Sequence, residues 1–248
     1  MKLNKIEPKF ISKSNPRIGL ITLGSDFRIE KDFNNLIYGR DIDLYVNRIH
    51  CYNPLTNATL AKMADDITEV TKDILPDQKL DCVAYGCTSG TVAAGYDKIK
   101  KKVNIAKPEA KVTTPITSTI KAIRKLGIKK ISIFTPYTKT INDSVVNYFN
   151  KENITINSLT YFDIDSDLDI GKVDENHLFE VLSKIDLKDS EALFVSCTAL
   201  PVLSIIEKLE KKLNKVVLSS NQTLIWETLN LIGNKKPVVG FGKIFAVN

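Results

Sequence analysis

The sequence predicts an α/β protein of two similar lobes, each a parallel sheet flanked by helices. Three observations carry this reading. Strand-like apolar runs alternate with helix-like stretches along all 248 residues, the order that produces parallel sheets with helices on both faces. The alternation restarts near residue 115, at Thr114-Pro115. One motif also occurs twice, as Asp81-Cys82-Val83-Ala84-Tyr85-Gly86-Cys87-Thr88-Ser89 and as Glu191-Ala192-Leu193-Phe194-Val195-Ser196-Cys197-Thr198-Ala199.

The elements follow in order. Arg17 to Leu23 is a short apolar run entering Gly24-Ser25-Asp26, a strand and its turn. Asp41 to Val46 is a second strand. Thr56 to Leu75 has helical spacing and stops at Pro76. Cys82 to Tyr85 is a third strand, a helix starts at Thr88, and Lys111 to Thr114 is a fourth strand ended by Pro115. The second round comprises a helix over Ile116 to Leu126, closed by Gly127, and a strand over Lys130 to Thr135. Next come a helix over Thr138 to Asn150 and a strand over Ile154 to Leu159. Asn176 to Ile185 is a helix, Ala192 to Val195 a strand, Val202 to Leu213 a helix, Val216 to Leu218 a strand, and Gln222 to Leu231 the last helix.

Composition narrows the function class. The chain is 43% hydrophobic and 26% charged, ordinary for a globular protein. No apolar run approaches the roughly 20 residues that span a bilayer, and the Lys-rich start lacks an apolar signal core, so a cytoplasmic location with no membrane partner is expected. In that compartment Cys51, Cys82, Cys87 and Cys197 are expected as free thiols. His50 and His177 have no ligand-like neighbours, so no metal is expected. The net charge of +6 is dispersed, with its densest run at Lys98 to Lys102 and no nucleic-acid motif, so the basic surface is assigned to a small anionic substrate instead. No Gly-x-Gly-x-x-Gly or Walker-type motif points to a nucleotide.

The chemistry sits in the repeated motif. A free thiol has a pKa of about 8.5, and the thiolate is its reactive form. Cys87 at a strand end before a helix N-terminus is expected to have that pKa lowered. The N–H groups there, with the hydroxyls of Thr88 and Ser89, form an expected carboxylate cradle, and Gly90 permits close backbone approach. Cys197 and Thr198 repeat the design. A lone cysteine after a strand is commonly a small core residue, but duplication at equivalent places argues for function. Cys82, inside a strand, reads as core. Asp26 is expected in the cleft, where it orients a ligand or takes a proton from Cys87, unless it is a helix N-cap. The Tyr137 phenol either donates to a carboxylate or is a buried, satisfied hydroxyl. Ser219-Ser220-Asn221-Gln222 either contributes polar contacts or caps the last helix through Ser220 or Asn221, the cap being the expected role.

These residues together resemble the aspartate/glutamate racemase superfamily. Within it the likeness is to the maleate isomerase and arylmalonate decarboxylase branch, nearest the ectoine-utilisation protein A group. The carriers are Ile18-Gly19-Leu20-Ile21, Ser25-Asp26 with Glu30 and Asp32-Phe33, Asn53-Pro54, Tyr85-Gly86-Cys87-Thr88-Ser89, Lys107-Pro108 and Thr114-Pro115. They continue through Phe134-Thr135-Pro136-Tyr137, Ser196-Cys197-Thr198-Ala199-Leu200 and Ser219-Ser220-Asn221-Gln222. The resemblance implies two Rossmann-like lobes related by a pseudo-two-fold axis, with the active site in the cleft between them and no cofactor. The expected division is 1–115, completed by 219–248, and 116–218, and a homo-oligomer fits the family. Cys87 and Cys197 take the catalytic positions, and Thr88, Ser89, Tyr137 and Thr198 take positions that hold a substrate carboxylate.

The departures sharpen the expectation. Decarboxylases of this branch keep only the second-lobe cysteine, whereas this chain has both. Glutamate racemases carry Cys-Asn-Thr and Cys-Thr-His where Thr88 and Ala199 stand here. Maleate isomerases carry Asn at the place of Asp26 and another near Asp167. The sequence therefore implies a cofactor-independent isomerase or racemase of a small carboxylic acid, working by proton transfer or thiol addition. The alternatives are a lyase using Cys197 as proton donor and a non-catalytic small-acid-binding protein.

Overall fold

The computed structural model describes residues 1, 3–11, 14–187 and 189–247. Its strands form two four-stranded sheets. The first contains β1 (Arg17–Leu23), β2 (Asp43–Ile49), β3 (Cys82–Gly86) and β4 (Lys111–Thr113), ordered β2-β1-β3-β4 and parallel throughout. The second contains β5 (Lys130–Thr135), β6 (Thr155–Tyr161), β7 (Ala192–Val195) and β8 (Val216–Ser219), ordered β6-β5-β7-β8 and again parallel. Within each half the order is second, first, third, fourth, so the two lobes share one topology and the fold is the expected one.

Burial explains which strands were legible. After their leading Arg17 and Lys130, β1 and β5 are buried at every residue, as are β3 and β7. A strand covered on both faces reads as one continuous apolar run. The edge strands β2 and β6 are mostly half-buried or exposed. The run expected at Asp41 to Val46 accordingly begins later, at Asp43, and continues to Ile49.

Helices fill the crossovers. In the first half these are α1 (Ile29–Ile37), α2 (Asn57–Met63), α3 (Ile67–Lys72), α4 (Thr88–Ala94) and α5 (Tyr96–Ala106). Then come α6 (Pro115–Lys125), α7 (Lys139–Lys151), α8 (Asp167–Gly171), α9 (Glu175–Leu182), α10 (Ile206–Leu213) and α11 (Ser220–Leu231). The expected single helix over Thr56 to Leu75 is instead divided by a tighter 3₁₀ turn at Ala64–Asp66, where consecutive aspartates have low helix propensity. α1 was not anticipated, although Ile29, Phe33, Leu36 and Ile37 form its buried face at helical spacing. Its nine residues are short and interleaved with charge, which weakens the pattern.

α11 is buried from Ser220 to Leu229. It packs against α1, α6, β3 and β4, although the strand that leads into it, β8, belongs to the second sheet. Its first turn thus sits where the two halves meet. The cap of α11 is Ser219, in a reciprocal box with Gln222, and not Ser220 or Asn221 as expected. That leaves Ser220 and Asn221 available to other partners. Among the described residues no helix is long and apolar enough to cross a membrane.

Candidate active site

The third strand of each sheet delivers one cysteine. β3 ends at Gly86, and Cys87 follows in extended conformation as the N-cap of α4, its Sγ accepting from the Gly90 N–H at 3.2 Å. A Cβ on Gly90 would lie 2.7 Å from that sulfur, so glycine is required for the close approach. β7 ends at Val195, and Cys197 lies two residues on with φ of +105°. A non-glycine residue in that region is strained and is held by its surroundings. Its N–H donates to Ser220 Oγ at 3.0 Å, and the Ala199 N–H favours its thiolate. No helix follows Cys197, because α10 begins only at Ile206 and not at Val202 as expected. The thiols are therefore presented differently, one by a helix cap and one by a strained turn.

Hydrogen bonds tie the two motifs together across the lobes. Thr88 donates to Ser220 Oγ at 2.8 Å, and Thr198 donates to the Gly86 carbonyl at 3.4 Å. Asn221 Nδ2 donates to the Thr198 carbonyl at 2.8 Å and to Asp32 at 2.7 Å. Tyr137, in the loop after β5, accepts from Ser196 Oγ at 3.4 Å, and interactions with both Cys197 and Cys87 add to the rise in its pKa that burial causes. Ser89 favours the Cys87 thiolate, a smaller effect than burial. Tyr85 is fully buried, and its hydroxyl, which lacks a hydrogen-bond partner, lies 3.0 Å from the same built Cβ of Gly90. All seven sequence-predicted side chains, Cys87, Cys197, Asp26, Thr88, Ser89, Tyr137 and Thr198, are at most 5% exposed.

Two buried carboxyls complete the cluster. Asp26 Oδ1 accepts from the N–H groups of Arg28 (2.7 Å) and Ile29 (3.0 Å), opening α1. The N-cap position itself is Arg28, so Asp26 is not the cap considered for it but holds the turn leading into the helix, and this occupies only one oxygen. Oδ2 is buried with no hydrogen-bond partner. The nearby Thr198 hydroxyl favours the Asp26 carboxylate, yet its own hydrogen bond goes to Gly86. Asp167, at the start of α8, accepts from Ser25 Oγ at 2.5 Å, and its N–H reaches Asn53 Oδ1 at 3.4 Å. Beside it, the Leu55 N–H donates to the Asp165 carbonyl at 2.7 Å, so the loops after β2 and β6 interlock.

Burial governs the protonation of this site. It raises Asp26 above the usual carboxylate range and pushes Asp167 up to about 6, with Ser25 opposing and the Asp26 charge adding to the latter rise. Asp32 is pushed up to about 7, chiefly by burial, while Asn221 opposes. Both thiols are raised well above their ordinary value by burial, with Asp167 adding to each. The lowered Cys87 pKa expected from its helix N-terminus is therefore overturned: the Gly90 N–H acts in that direction, but desolvation is the larger effect. Asp26 acts on Cys197, not on Cys87 as expected, whereas Asp167 acts on both. Cys82 is buried inside β3, as expected, and all four cysteines are free. Among the described residues no group of three or more His, Cys, Asp or Glu side chains is placed to hold a metal ion.

The arylmalonate decarboxylase family profile matches residues 54–245. The chain belongs to that family. Its relatives extend the match over nearly the whole molecule. The maleate isomerase of Geobacillus stearothermophilus is 24% identical over 245 residues, covering 93% of this chain and 97% of that protein. The crystal structure of the maleate isomerase Iso from Pseudomonas putida S16 superposes with a TM-score of 0.85 at 22% identity, covering 93% of this chain and 98% of that one. A Nocardia farcinica maleate cis-trans isomerase, solved as a mutant with a covalently bound succinylcysteine intermediate, gives a TM-score of 0.86 at 20% identity, covering 93% and 98%. These matches support the maleate isomerase and decarboxylase branch as a whole.

Sequence reasoning missed Ser25 and Tyr85 as members of the cluster, and it favoured a cap over polar contacts for Ser220 and Asn221, whose side chains make polar contacts instead. Their positions carried a usable signal. Ser25 and Ser220 lie just past the carboxyl ends of β1 and β8, where α/β folds gather ligand-binding groups.

Proposed function

We propose that this family member is a cofactor-independent isomerase or racemase of a small carboxylic acid, with Cys87 and Cys197 as its catalytic pair. The observation that carries the reading is the placement of two buried cysteines after equivalent strands of two sheets of one topology, joined through Thr88, Ser220 and Tyr137. In this reading one thiolate removes a proton from carbon while the opposite thiol returns one to the other face. In its addition form the thiolate attacks a double bond, the new single bond rotates, and the thiolate departs as the double bond re-forms. Relatives named maleate isomerase, one with a succinylcysteine, support cysteine chemistry of this kind.

Thr88, Ser89, Tyr137 and Thr198 hold the substrate carboxylate in this proposal. The division into 1–115 with 219–248 and 116–218, assembly as a homo-oligomer and action in the cytoplasm belong to it as well. The expected division falls in the first turn of α6, and the packing of α11 on the first sheet supports the return of the C-terminal segment.

The test is a deuterium wash-in screen over small amino, hydroxy and unsaturated acids, run with Cys87→Ser and Cys197→Ser. Each substitution is expected to lower turnover about 10²- to 10⁴-fold. Full turnover by both variants on the converted acid would refute the proposal. A second reading, decarboxylation through Cys197 alone, is favoured by the family's own name. It requires carbon dioxide release from a malonate-type acid and a nearly silent Cys87→Ser.

A further inference from the structure

We propose that the side of the cleft built by Ser25, Asp26 and Asp167 receives the ammonium group of a zwitterionic substrate, so that this enzyme works on a small amino acid and not on a dicarboxylate. The inference rests on the isomerase reading and adds the substrate class to it.

The argument begins with an unmatched acceptor. Asp26 is 1% exposed, its Oδ1 is engaged by two backbone N–H groups, and its Oδ2 is buried with no partner. Leaving such an oxygen unsatisfied is costly, and costlier when it is ionised. Asp167, 3% exposed, is close enough for the two charges to act on each other, and among the described residues the one hydrogen-bond donor to its carboxyl is the Ser25 hydroxyl. Both carboxyls act on Cys197. The nearby cations make their hydrogen bonds elsewhere, although the Arg48 charge still favours the Asp26 carboxylate. Arg48 donates to the carbonyls of Leu23 and Asp26 and to Glu30, and Arg28 donates to the Gly171 carbonyl. Among the described residues no ion pair includes Asp26 or Asp167.

The site thus holds two buried carboxyl groups in a dry environment, and one of their oxygens, Asp26 Oδ2, has no hydrogen-bond partner among the described residues. A second substrate carboxylate there would add a third negative charge where each is already disfavoured. An ammonium group supplies three donors and one positive charge. It satisfies Asp26 Oδ2, bonds Asp167 and removes the mutual repulsion. With the carboxylate held by the hydroxyls of Ser89, Tyr137 and Thr198, the carbon between the two groups faces the thiols.

The test is isothermal titration and thermal shift at about pH 8 with the full chain. The probes are the D and L forms of alanine and 2-aminobutyrate, 2-hydroxybutyrate, butyrate and maleate, with solvent-deuterium exchange followed in parallel. We expect an amino acid to bind at least about 10-fold more tightly than its hydroxy or unsubstituted analogue and than maleate. Asp26→Asn keeps Oδ1 for the two N–H groups and is expected to remove that preference, and with Asp167→Asn to reverse it toward maleate. Maleate bound more tightly than every amino acid by the wild type overturns the inference, as does binding of no amino acid, or a preference unchanged in Asp26→Asn. Turnover confined to acids without an amino group overturns it while leaving the isomerase reading in place. Amino acids that bind without exchange or conversion count against the isomerase reading and leave the ammonium site standing.

Discussion

Thr88 donates its hydroxyl proton to Ser220 at 2.8 Å, joining residues 132 apart in the chain. The same Ser220 oxygen accepts from the N–H of Cys197, at 3.0 Å. One small side chain thereby fixes the motif of the first cysteine to the backbone of the second. Replacing it with alanine leaves a buried hydroxyl and a buried N–H without an acceptor. Ser220→Ala is expected to lower stability by about 1–3 kcal/mol, measured by urea unfolding. Because Cys197 has φ of +105°, loss of that anchor is also expected to reduce turnover more than Ser220→Thr does. Equal turnover in the two variants would show that the bridge is not needed to hold the turn.

Removing the Asp167 charge is expected to make both thiols more reactive. An ionised Asp167 raises both Cys87 and Cys197. Asn in its place takes that repulsion away at a pH above about 6, where the acid is charged. The expected result is roughly 3- to 10-fold faster alkylation of both cysteines by iodoacetamide at neutral pH, followed by peptide mass spectrometry. Faster labelling of Cys51 alone would contradict this electrostatic link.

The contrast between these partners explains what was legible in the sequence. The strands Arg17–Leu23, Lys130–Thr135 and Ala192–Val195 were read to the residue, because doubly covered strands are unbroken apolar runs. Cys87 and Cys197 were found because a duplicated local pattern survives in the linear chain. The links around them are not local. Thr88 meets Ser220 across 132 residues and Ser25 meets Asp167 across 142. The Cys87 pKa failed for the same reason. Its helix N-terminus is written nearby in the sequence, but the burial that outweighs it is set by the packing of the folded chain.

The buried acids predict how folding responds to pH. Asp167 ionises near 6 in the folded chain against an ordinary value of 3.8, and Asp32 near 7 against the same value. Below 3.8 both the folded and unfolded chains hold these protons. Between 3.8 and the folded values, the unfolded chain has released protons that the folded chain keeps. The stabilisation is therefore lost as pH rises through that window. The melting temperature of the ligand-free protein is expected to fall from about pH 5 to about pH 8, and Asp167→Asn is expected to flatten the decline. A melting temperature that rises across this range, unchanged by the substitution, would contradict the assignment.

Gly90 marks the tightest packing at the first thiol. A methyl group there would lie 2.7 Å from Cys87 Sγ, 3.0 Å from the Tyr85 hydroxyl and 3.2 Å from Met63 Cε. Met63 can shift, because its side chain is unbranched and flexible. Cys87 and Tyr85 have less freedom, being short or rigid and fully packed. Helix propensity alone would make Gly90→Ala stabilising, so the sign depends on whether the clash outweighs it. At 2.7 Å from a sulfur the overpacking is expected to win, costing about 1–3 kcal/mol. The displaced atom is the proposed nucleophile, so activity should fall further than stability accounts for. The check is turnover measured well below the melting temperature of Gly90→Ala, compared with Gly127→Ala, whose φ of +69° strains the backbone but whose Cβ meets nothing within 4 Å. A Gly90→Ala enzyme with full turnover would show that Cys87 Sγ tolerates displacement and is not held in a required position.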